Sequence, residues 1–538
     1  MAFAKVFSLQ PTLLGAHPIV IEADLAKGLH AFTLVGLADK AVEESRDRVS
    51  AAIKNSGWKS PKQRNQKITI GLAPADLKKV GPLFDLPIAL AYLLATGDMS
   101  FNAEGKIFVG ELALDGRVRG IHGALAIATE AKTRGMKELY VPKENAEEAA
   151  LVSGITVFPV TSLYELAQHL SKTTAIAREE GEEPVRADDA GGRVGIALRR
   201  IAPQPKTELV HPSVETTERA FADIRGQETA KRGLMIAAAG GHNIAMWGPP
   251  GTGKTMLARA FTELLPPLSH AEALEVTAIH SVSGVLEGGI VSVPPFRSPH
   301  HTASYVSIIG GGTIPKPGEV TLAHRGVLFL DEFPEFDKRV IESLRQPLEE
   351  GIVHISRAKG SERFPARFIL IAAMNPCPCG YFGDPKKACV CDPGQISRYQ
   401  RKISGPIVDR VDLWIEVPRL AHTTLAPGKR DPNARKQFDE FTAKIASARA
   451  HQTKRFADNA HTTLNAGMSV RDLDRMIKLA DNVVALLNDS AKRLDLSPRA
   501  YHRIIKLART IADLDESRYV DESHILEALQ YRPKRLFV

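Results

Sequence analysis

The stretch Gly248-Pro-Pro-Gly-Thr-Gly-Lys-Thr255 fits the pattern G-x-x-x-x-G-K-[ST] and decides the fold class of this chain. An apolar segment, 242–247, precedes it and predicts a buried strand, and a helical pattern follows over 256–265. In such a loop, backbone N–H groups surround phosphate oxygens at the positive end of a helix. The sequence therefore predicts a nucleoside triphosphate site. Its residues would be Gly248, Pro249, Pro250, Gly251, Thr252, Gly253, Lys254 and Thr255.

Composition narrows the class of protein. The chain has 538 residues, enough for about three or four domains. Its net charge of +8 favours an anionic polymer such as DNA as a partner. No apolar run approaches the roughly 18 residues of a membrane span, and the N-terminus lacks the pattern of a signal peptide. We therefore expect a cytoplasmic protein without a membrane partner.

Changes in the spacing of apolar residues along the sequence divide the chain into four parts. Residues 1–171 alternate short apolar strands with helices and predict an α/β or α+β domain. The polar part 172–218, rich in Gly and Pro, predicts a linker. A nucleotide domain is expected over 219–425 and a helical part over 426–538, where Ser497-Pro498 predicts a helix start.

Two further apolar strands end in polar residues that suit ATP hydrolysis. Val327-Leu-Phe-Leu-Asp-Glu332 delivers two carboxylates to the phosphate loop. Asp331 would bind Mg²⁺ together with Thr255, and Glu332 would polarise the attacking water. Asn375, at the end of the next strand, would orient that water. The alternative for each is an ordinary polar turn after a strand.

Two arginines are candidates for stabilising charge on the transferred phosphate. Arg410 follows a short helical stretch, and in ring ATPases an Arg at this place reaches into the neighbouring subunit's site. Arg499, at the start of a C-terminal helix, would touch the γ-phosphate within its own subunit. A surface salt bridge of Arg410 to Asp409 or Asp412, and a structural role of Arg499, are the alternatives.

Several motifs together resemble a known family. The phosphate loop, Leu328–Phe333, Asn375 and Arg410 resemble an AAA+ ATPase. The resemblance narrows to the magnesium-chelatase-related, YifB/ComM-type bacterial proteins in four segments: 296–303, 345–351, 374–380 and 499–505. It implies an α/β AAA+ P-loop ATPase core with a helical lid over 426–538.

The same resemblance implies a function. It is that of a hexameric, ATP-hydrolysing DNA motor that promotes branch migration in homologous recombination and natural transformation. ATP and Mg²⁺ would be its cofactors, and DNA and recombination proteins its partners. A magnesium-chelatase-like or chaperone-like remodeller of a protein client is the alternative, since pore loops of both kinds look alike in sequence.

The segment Gly110–Gly123 resembles the proteolytic domain of Lon. This implies an α+β, Lon-like (ribosomal S5 domain 2-like) fold for residues 1–171. The positions of that family's catalytic Lys and Ser fall on Ile127 and Leu83 here. The resemblance therefore implies a domain without peptide hydrolysis, serving as a scaffold for ring assembly or for DNA contact.

The four cysteines of the chain form a C-x-C…C-x-C cluster. Four thiolates suit tetrahedral Zn²⁺, and a disulfide or unliganded thiols are the alternatives. Because the cluster directly follows Asn375, a metal would hold a loop beside the ATP site. The ligands of this structural zinc would be Cys377, Cys379, Cys389 and Cys391.

Basic residues near the tip of a predicted hairpin are candidates for DNA contact. Apolar and polar residues alternate in the segment 351–367, and this alternation predicts two strands around a turn at 358–361. A basic tip would grip phosphates without reading sequence, although a solvated basic turn is the alternative. The candidate residues are Arg357, Lys359 and Arg363.

A second glycine-rich stretch, 281–320, is longer than an ordinary loop and predicts a functional insert. It contains the pair His300-His301. Because no carboxylate or cysteine lies near this pair in the sequence, we do not expect it to bind a metal.

Overall fold

The structure describes most of the chain. The computed structural model describes residues 3–12, 15–171, 200–208, 220–286, 289–312, 316–357, 360–420, 434–459 and 462–533, with the backbone alone for 356–357 and 360–361. Within these ranges no helix has both the length and the apolar character needed to cross a membrane. The chain divides into two units, Met1–Val210 with Thr277–Ile290, and His211–Val276 with Val291–Val538.

The described part of the first unit mixes strands and helices. Its strands are β1 (Phe3–Thr12), β2 (Gly15–Lys27), β3 (Ala31–Val35), β4 (Gln66–Ala73), β5 (Lys106–Phe108), β6 (Glu111–Leu112), β7 (Val118–Arg119), β8 (Glu138–Pro142) and β9 (Thr156–Val160). Its helices are α1 (Lys40–Asn55), α2 (Asp85–Thr96), α3 (Ala124–Thr133), α4 (Ala146–Ala149) and α5 (Leu163–Leu170).

A long N-terminal hairpin organises the first unit. β1 and β2 contain 10 and 13 residues and pair antiparallel, with Phe3 opposite Asp24 and Thr12 opposite Gly15. Their sheet has the order β1-β2-β4-β3, and the apolar helix α2 lies against β1 and β2. The predicted alternation of short strands with helices therefore applies only after this hairpin. A second, parallel sheet has the order β5-β8-β9.

The two positions at which the resemblance to Lon would place a catalytic Ser and Lys lie in the core of the first unit. Leu83 belongs to the short 3-10 helix Pro82–Phe84, and Ile127 belongs to α3. Both side chains are buried. Neither can act as a nucleophile or a base, because both are hydrocarbons.

Residues 200–208 lie along the first unit, although they belong to the predicted linker. The backbone N–H of Gln204 donates to the Val157 carbonyl oxygen of β9 at 2.8 Å. The rest of the predicted linker, 172–199 and 209–218, lies outside the described residues.

The second unit contains the remaining elements. Its helices are α6 (Glu228–Gly240), α7 (Lys254–Leu264), α8 (His270–Ser283, whose last residues belong to the first unit), α9 (Tyr305–Ile309), α10 (Glu319–Leu322), α11 (Lys338–Ser343), α12 (Arg345–Glu350), α13 (Pro393–Gln400), α14 (Gly405–Val408), α15 (Ala434–Arg455), α16 (Val470–Met476), α17 (Asp481–Arg493), α18 (Pro498–Leu514) and α19 (Glu522–Gln530). Its strands are β10 (Ile244–Trp247), β11 (Phe296–Arg297), β12 (Gly310–Gly311), β13 (Lys316–Pro317), β14 (Val327–Leu330), β15 (Ile352–Arg357), β16 (Gly360–Pro365), β17 (Ile369–Met374) and β18 (Leu413–Glu416).

A five-stranded parallel sheet organises the second unit. Its order is β11-β14-β17-β10-β18, and every neighbouring pair runs parallel. All residues of β10, β14 and β17 are buried, which explains their continuous apolar sequences. The three buried strands predicted from the sequence around the phosphate loop and the acidic motif are confirmed.

The edge strand β11 corrects one expectation from the sequence. It lies inside the stretch 281–320, whose length and glycine content predict a functional insert. Phe296 and Arg297 instead pair with Val327 and Leu328 as part of the central sheet. Two residues are too few for a period-two pattern, so the sequence carries no signal for this strand.

The C-terminal helices share a hydrophobic core with the central sheet. Phe438 of α15, Leu487 of α17 and Ile511 of α18 belong to this core. The predicted start of α18 is confirmed, because the Ser497 hydroxyl accepts the backbone N–H of Ala500 at 3.2 Å. The segments 219–425 and 426–538 are therefore joined by packing within one unit.

Candidate nucleotide site

The predicted phosphate loop connects the buried strand β10 to helix α7. Gly251 and Gly253 have φ values of 74° and 90°, a conformation that favours glycine, and Gly253 caps α7. A Cβ atom on Gly248 would lie 2.2 Å from the Val417 carbonyl oxygen, so only glycine fits beside β18. The loop thus presents backbone N–H groups at a helix start, as an anion site requires.

Lys254 is held inside this loop by neutral oxygen atoms. Its Nζ donates to the carbonyl oxygens of Gly248 at 2.8 Å and Pro249 at 2.9 Å, and lies 3.3 Å from Oδ1 of Asn375. Burial lowers the pKa of Lys254 to about 8, because the nearest partners carry no full negative charge. A phosphate group bound in the loop would supply that charge.

Thr255 and Asp331 meet at the start of α7. The Thr255 hydroxyl donates to Oδ2 of Asp331 at 2.8 Å. A hydroxyl and a carboxylate oxygen side by side form the hard donor set that Mg²⁺ prefers. The two residues predicted to hold Mg²⁺ are therefore adjacent, and their chemistry fits the ion.

Glu332 is close to a histidine for which the sequence predicts no role in binding a metal. Its backbone has φ 51° and ψ 43°, and its side chain is about half exposed. Nδ1 of His301 lies 3.0 Å from Oε2 of Glu332. The ring of His300 is 4.1 Å from that of His301, between centroids. No carboxylate lies near this histidine pair in the sequence, but the parallel sheet brings the end of β11 beside the end of β14, where His301 meets Glu332. That the pair binds no metal stays a prediction.

The two candidate arginines converge on one carboxylate. Arg410, whose side chain is largely buried, donates from Nη1 to the Pro406 carbonyl oxygen at 2.7 Å and from Nη2 to Glu349. Nη2 of Arg499 lies 3.9 Å from the other oxygen of Glu349, and the Arg499 side chain is exposed. A salt bridge of Arg410 to Asp409 or Asp412 is the alternative to a role at the phosphate; in the described residues Arg410 pairs with Glu349 of α12 instead.

The four cysteines come together as a candidate metal centre. Three Sγ–Sγ distances are 3.4, 3.7 and 3.5 Å, for the pairs 377–379, 377–389 and 379–389. Tetrahedral zinc with Zn–S bonds near 2.3 Å requires Sγ atoms about 3.8 Å apart, whereas a disulfide requires about 2.05 Å. All four thiols are free and their Sγ atoms lie within 4.8 Å of one another. The cluster fits a closed Cys₄ site, and these Sγ–Sγ distances are longer than a disulfide bond.

The cysteine loop contacts the phosphate loop directly. Gly380 has φ 84°, and a Cβ atom there would lie 2.7 Å from Cδ of Pro250. A cleft of ≈ 620 Å³ opens beside the phosphate loop, and Lys386 of the cysteine loop lines it together with Arg225 and Arg419. Sequence reasoning missed these three cations, because their proximity to the phosphate loop arises only in the folded chain.

The predicted basic hairpin forms between α12 and β17. Its strands β15 and β16 pair antiparallel from Ile352 opposite Pro365 to Arg357 opposite Gly360. Arg363 is exposed and lies opposite His354, three pairs from the turn. Lys359 and the side chain of Arg357 lie outside the described residues. The hairpin itself is confirmed, and a contact with DNA stays a prediction.

Three family models together match most of the chain. The model described as magnesium chelatase, subunit ChlI, matches residues 220–425. Two others, subunit ChlI of Mg-chelatase and magnesium chelatase, subunit ChlI C-terminal, match residues 21–145 and 436–532.

Full-length relatives carry the YifB and ComM names. The uncharacterized protein YifB of Escherichia coli is 42% identical over 523 residues, covering 96% of this chain and 94% of that protein. The competence protein ComM of Haemophilus influenzae is 41% identical over 535 residues, covering 99% and 98%. This chain belongs to the YifB/ComM family of magnesium-chelatase-related proteins. Its parallel α/β core is thus that of an AAA+-type ATP-binding protein, and the resemblance drawn from the motifs is confirmed.

A more distant relative is similar to only part of this chain. The magnesium-chelatase 67 kDa subunit of Chlorobaculum parvum is 30% identical over 165 residues, covering 29% of this chain and 23% of that protein.

The environment of Lys254 predicts that nucleotide binding takes up protons near pH 8. The pKa of about 8 in the free protein leaves roughly half of the ammonium groups charged at that pH. Phosphate favours the charged form and raises the pKa, so ADP binding should take up about half a proton at pH 8. Affinity should then fall as pH rises above 8, by up to about tenfold per unit.

Calorimetric titration of ADP in two buffers of different ionisation enthalpy measures this uptake. Lys254→Arg is the control, because its guanidinium stays charged throughout this range. Equal proton uptake by the wild-type protein and Lys254→Arg would contradict the assignment.

Proposed function

We propose that this protein is an ATP-hydrolysing DNA motor that promotes branch migration or unwinding in homologous recombination and natural transformation. The observation that carries the proposal is the combination of an assembled nucleotide site with similarity to a competence protein over nearly the whole chain. The relative's name places it in competence, and the motor activity is our inference for this chain.

Hydrolysis would be shared among the residues at the carboxyl edge of the central sheet. Lys254 would hold the β- and γ-phosphates, and Glu332 would polarise the attacking water, which Asn375 would orient. Thr255 and Asp331 would hold Mg²⁺, which neutralises phosphate charge when bound. The contact of Asn375 with Lys254 supports its role, since it lies beside the group that binds the γ-phosphate.

We infer a homo-hexameric ring in which neighbouring subunits complete each site. Arg410 would reach the γ-phosphate bound by the next subunit, and Arg499 the one bound by its own. In the described chain both arginines face Glu349, whose side chain is 57% exposed. A triphosphate carries more negative charge than one carboxylate and would therefore compete for them.

DNA would be gripped by the hairpin β15–β16. Its exposed Arg363 and the neighbouring Arg357 and Lys359 would neutralise backbone phosphates, and the net charge of +8 agrees with an anionic polymer. The first unit would act as a Lon-like scaffold for ring assembly or DNA contact without peptide hydrolysis. Such a protein would work in the cytoplasm with other recombination proteins.

The cysteine cluster would hold one structural Zn²⁺. Four sulfur ligands leave no open position, so the metal would stabilise the loop and take no part in hydrolysis. The contact of Gly380 with Pro250 supports an influence on nucleotide affinity.

A remodeller of a protein client, similar to magnesium chelatase, is the second candidate. The partial similarity to a magnesium-chelatase subunit and the matches to the ChlI models favour it. Both candidate functions require ATP hydrolysis. They differ in the substrate that is moved, which is DNA for the motor and a protein for the remodeller.

Strand exchange on a synthetic mobile four-way DNA junction tests the proposed function. We expect the wild-type protein to resolve the junction only with ATP. Glu332→Gln should bind ATP and lose resolution, because the amide cannot accept a proton from water. Robust ATP hydrolysis by the wild-type protein with every junction left intact would contradict the proposal and favour a protein client.

Variants of the hairpin β15–β16 can be tested in the same junction assay. Replacing Arg357, Lys359 and Arg363 with Ala should abolish resolution and reduce the salt dependence of single-stranded DNA binding by about 2 in log–log slope. The matched control replaces three exposed cations of the C-terminal helices: Lys444, Lys492 and Arg493. An equal loss in both triple variants would show that only total charge matters.

Metal analysis tests the cysteine cluster. We expect one zinc per chain in the purified protein, and little or none after Cys377→Ser and Cys391→Ser together. ADP affinity should fall in this double variant, because the loop against Pro250 loses its support. Wild-type protein that contains no metal and has four reactive thiols would overturn the zinc assignment.

A further inference from the structure

The turn that carries Arg410 is held by a second arginine, Arg503 of α18. The Arg503 guanidinium donates to three backbone carbonyl oxygens of this turn: that of Val408 at 3.4 Å, that of Asp409, and that of Val411 at 2.7 Å. These carbonyl groups lie on both sides of Arg410 in the chain. A planar guanidinium has five N–H donors in a fixed arrangement, so one side chain can hold several carbonyl groups at once.

The end of this turn is fixed to α18 a second time, through Asp412. Nε of Arg503 lies 3.4 Å from Oδ1 of Asp412. The other carboxylate oxygen lies 3.2 Å from Nδ1 of His242, and Nε2 of that buried ring lies 2.8 Å from the Thr510 hydroxyl. Arg503 and Thr510 both belong to α18. The helix therefore supports the turn 408–412 at two places.

Packing alone leaves the turn 408–412 incompletely supported. A cavity of ≈ 500 Å³ adjoins it and is lined by three residues of the turn and by Arg503. Because a cavity offers no atoms to pack against, the hydrogen bonds from Arg503 take the place of packing on that side. The Arg503 side chain is 15% exposed, so water competes little for its donors. A further support comes from Asn243, whose Nδ2 donates to the Arg410 carbonyl oxygen at 3.0 Å.

We propose that Arg503 is a positioning residue, which holds the guanidinium of Arg410 where the triphosphate of the neighbouring subunit requires it. Arg503 itself touches no reacting atom. Loss of its hydrogen bonds would let the turn shift, and a misplacement of about 1 Å in a catalytic group can lower a rate by roughly a hundredfold. This inference rests on the proposed function, because it takes Arg410 to act on the triphosphate.

A double-mutant cycle in steady-state ATP turnover tests this inference. Arg410→Ala should lower kcat by roughly a thousandfold, and Arg503→Gln should lower it by roughly a hundredfold. If Arg503 acts only through Arg410, the double variant should be no slower than Arg410→Ala alone. KM for ATP and the affinity for ADP should stay unchanged in Arg503→Gln, because the lost interaction belongs to the transition state.

Two further variants separate positioning from a general structural effect. Arg503→Lys keeps a cationic donor that can serve one carbonyl oxygen, so it should recover part of kcat. It takes the place of Arg503→Gln in the cycle if that variant does not fold. Arg532→Gln is the matched control, because Arg532 lines the same cavity and donates from Nη2 to the Leu494 carbonyl oxygen at 3.3 Å. Its kcat should equal that of the wild-type protein, and a loss equal to that of Arg503→Gln would overturn the inference.

The remaining outcomes distinguish this inference from the proposed function. Turnover that Arg410→Ala leaves unchanged would overturn the role of Arg410 in the proposed function and this inference with it. A loss in Arg410→Ala together with an unchanged kcat in Arg503→Gln would overturn the inference alone. Two losses that multiply in the double variant, to roughly a hundred-thousandfold, would do the same, since effects of independent sites on the barrier add.

Discussion

The parallel pairing of the central sheet places the groups of the nucleotide site. Carboxyl ends of parallel strands meet at one edge, so the residues that follow β10, β14 and β17 come together there. Each strand supplies one chemical function: the phosphate loop follows β10, the acidic pair follows β14, and Asn375 follows β17. The short edge strand β11 adds His301 to the same edge.

The positively charged side chains of the described site favour the binding of an anion. Lys254 is surrounded by neutral oxygens, and Arg410 and Arg499 share the single carboxylate of Glu349. Positive groups held in this way gain more from a triphosphate than groups already fully paired would. The cysteine loop contributes to the same site, since Lys386 lines the cleft and Gly380 contacts Pro250.

Local patterns were sufficient to predict the strands, caps and motifs of the nucleotide site. The phosphate loop, the acidic strand and the Ser497 cap each depend on residues close together in the chain, and each is present in the structure. The hairpin β15–β16 could also be predicted, because apolar and polar residues alternate along its sequence.

Contacts between distant segments could not be predicted from local patterns. β11 has two residues, too few for periodicity, and without it His301 has no reason to meet Glu332. The proximity of Gly380 to Pro250 depends on packing between residues 130 positions apart, which no motif encodes. The hairpin β1–β2 was missed because β1 buries three successive residues, Ser8, Leu9 and Gln10, and so breaks the alternation that β2 shows over 19–24.

In the proposed motor, the free energy of ATP hydrolysis at this site is used to move DNA. The most direct measurement is the rate of ATP hydrolysis by the wild-type protein as single-stranded or four-way junction DNA is added at constant ATP. For a DNA motor we expect a saturable rise of several-fold, which depends on salt because phosphate contacts carry the binding. A rate that stays flat at every DNA concentration, in protein that hydrolyses ATP, would contradict it.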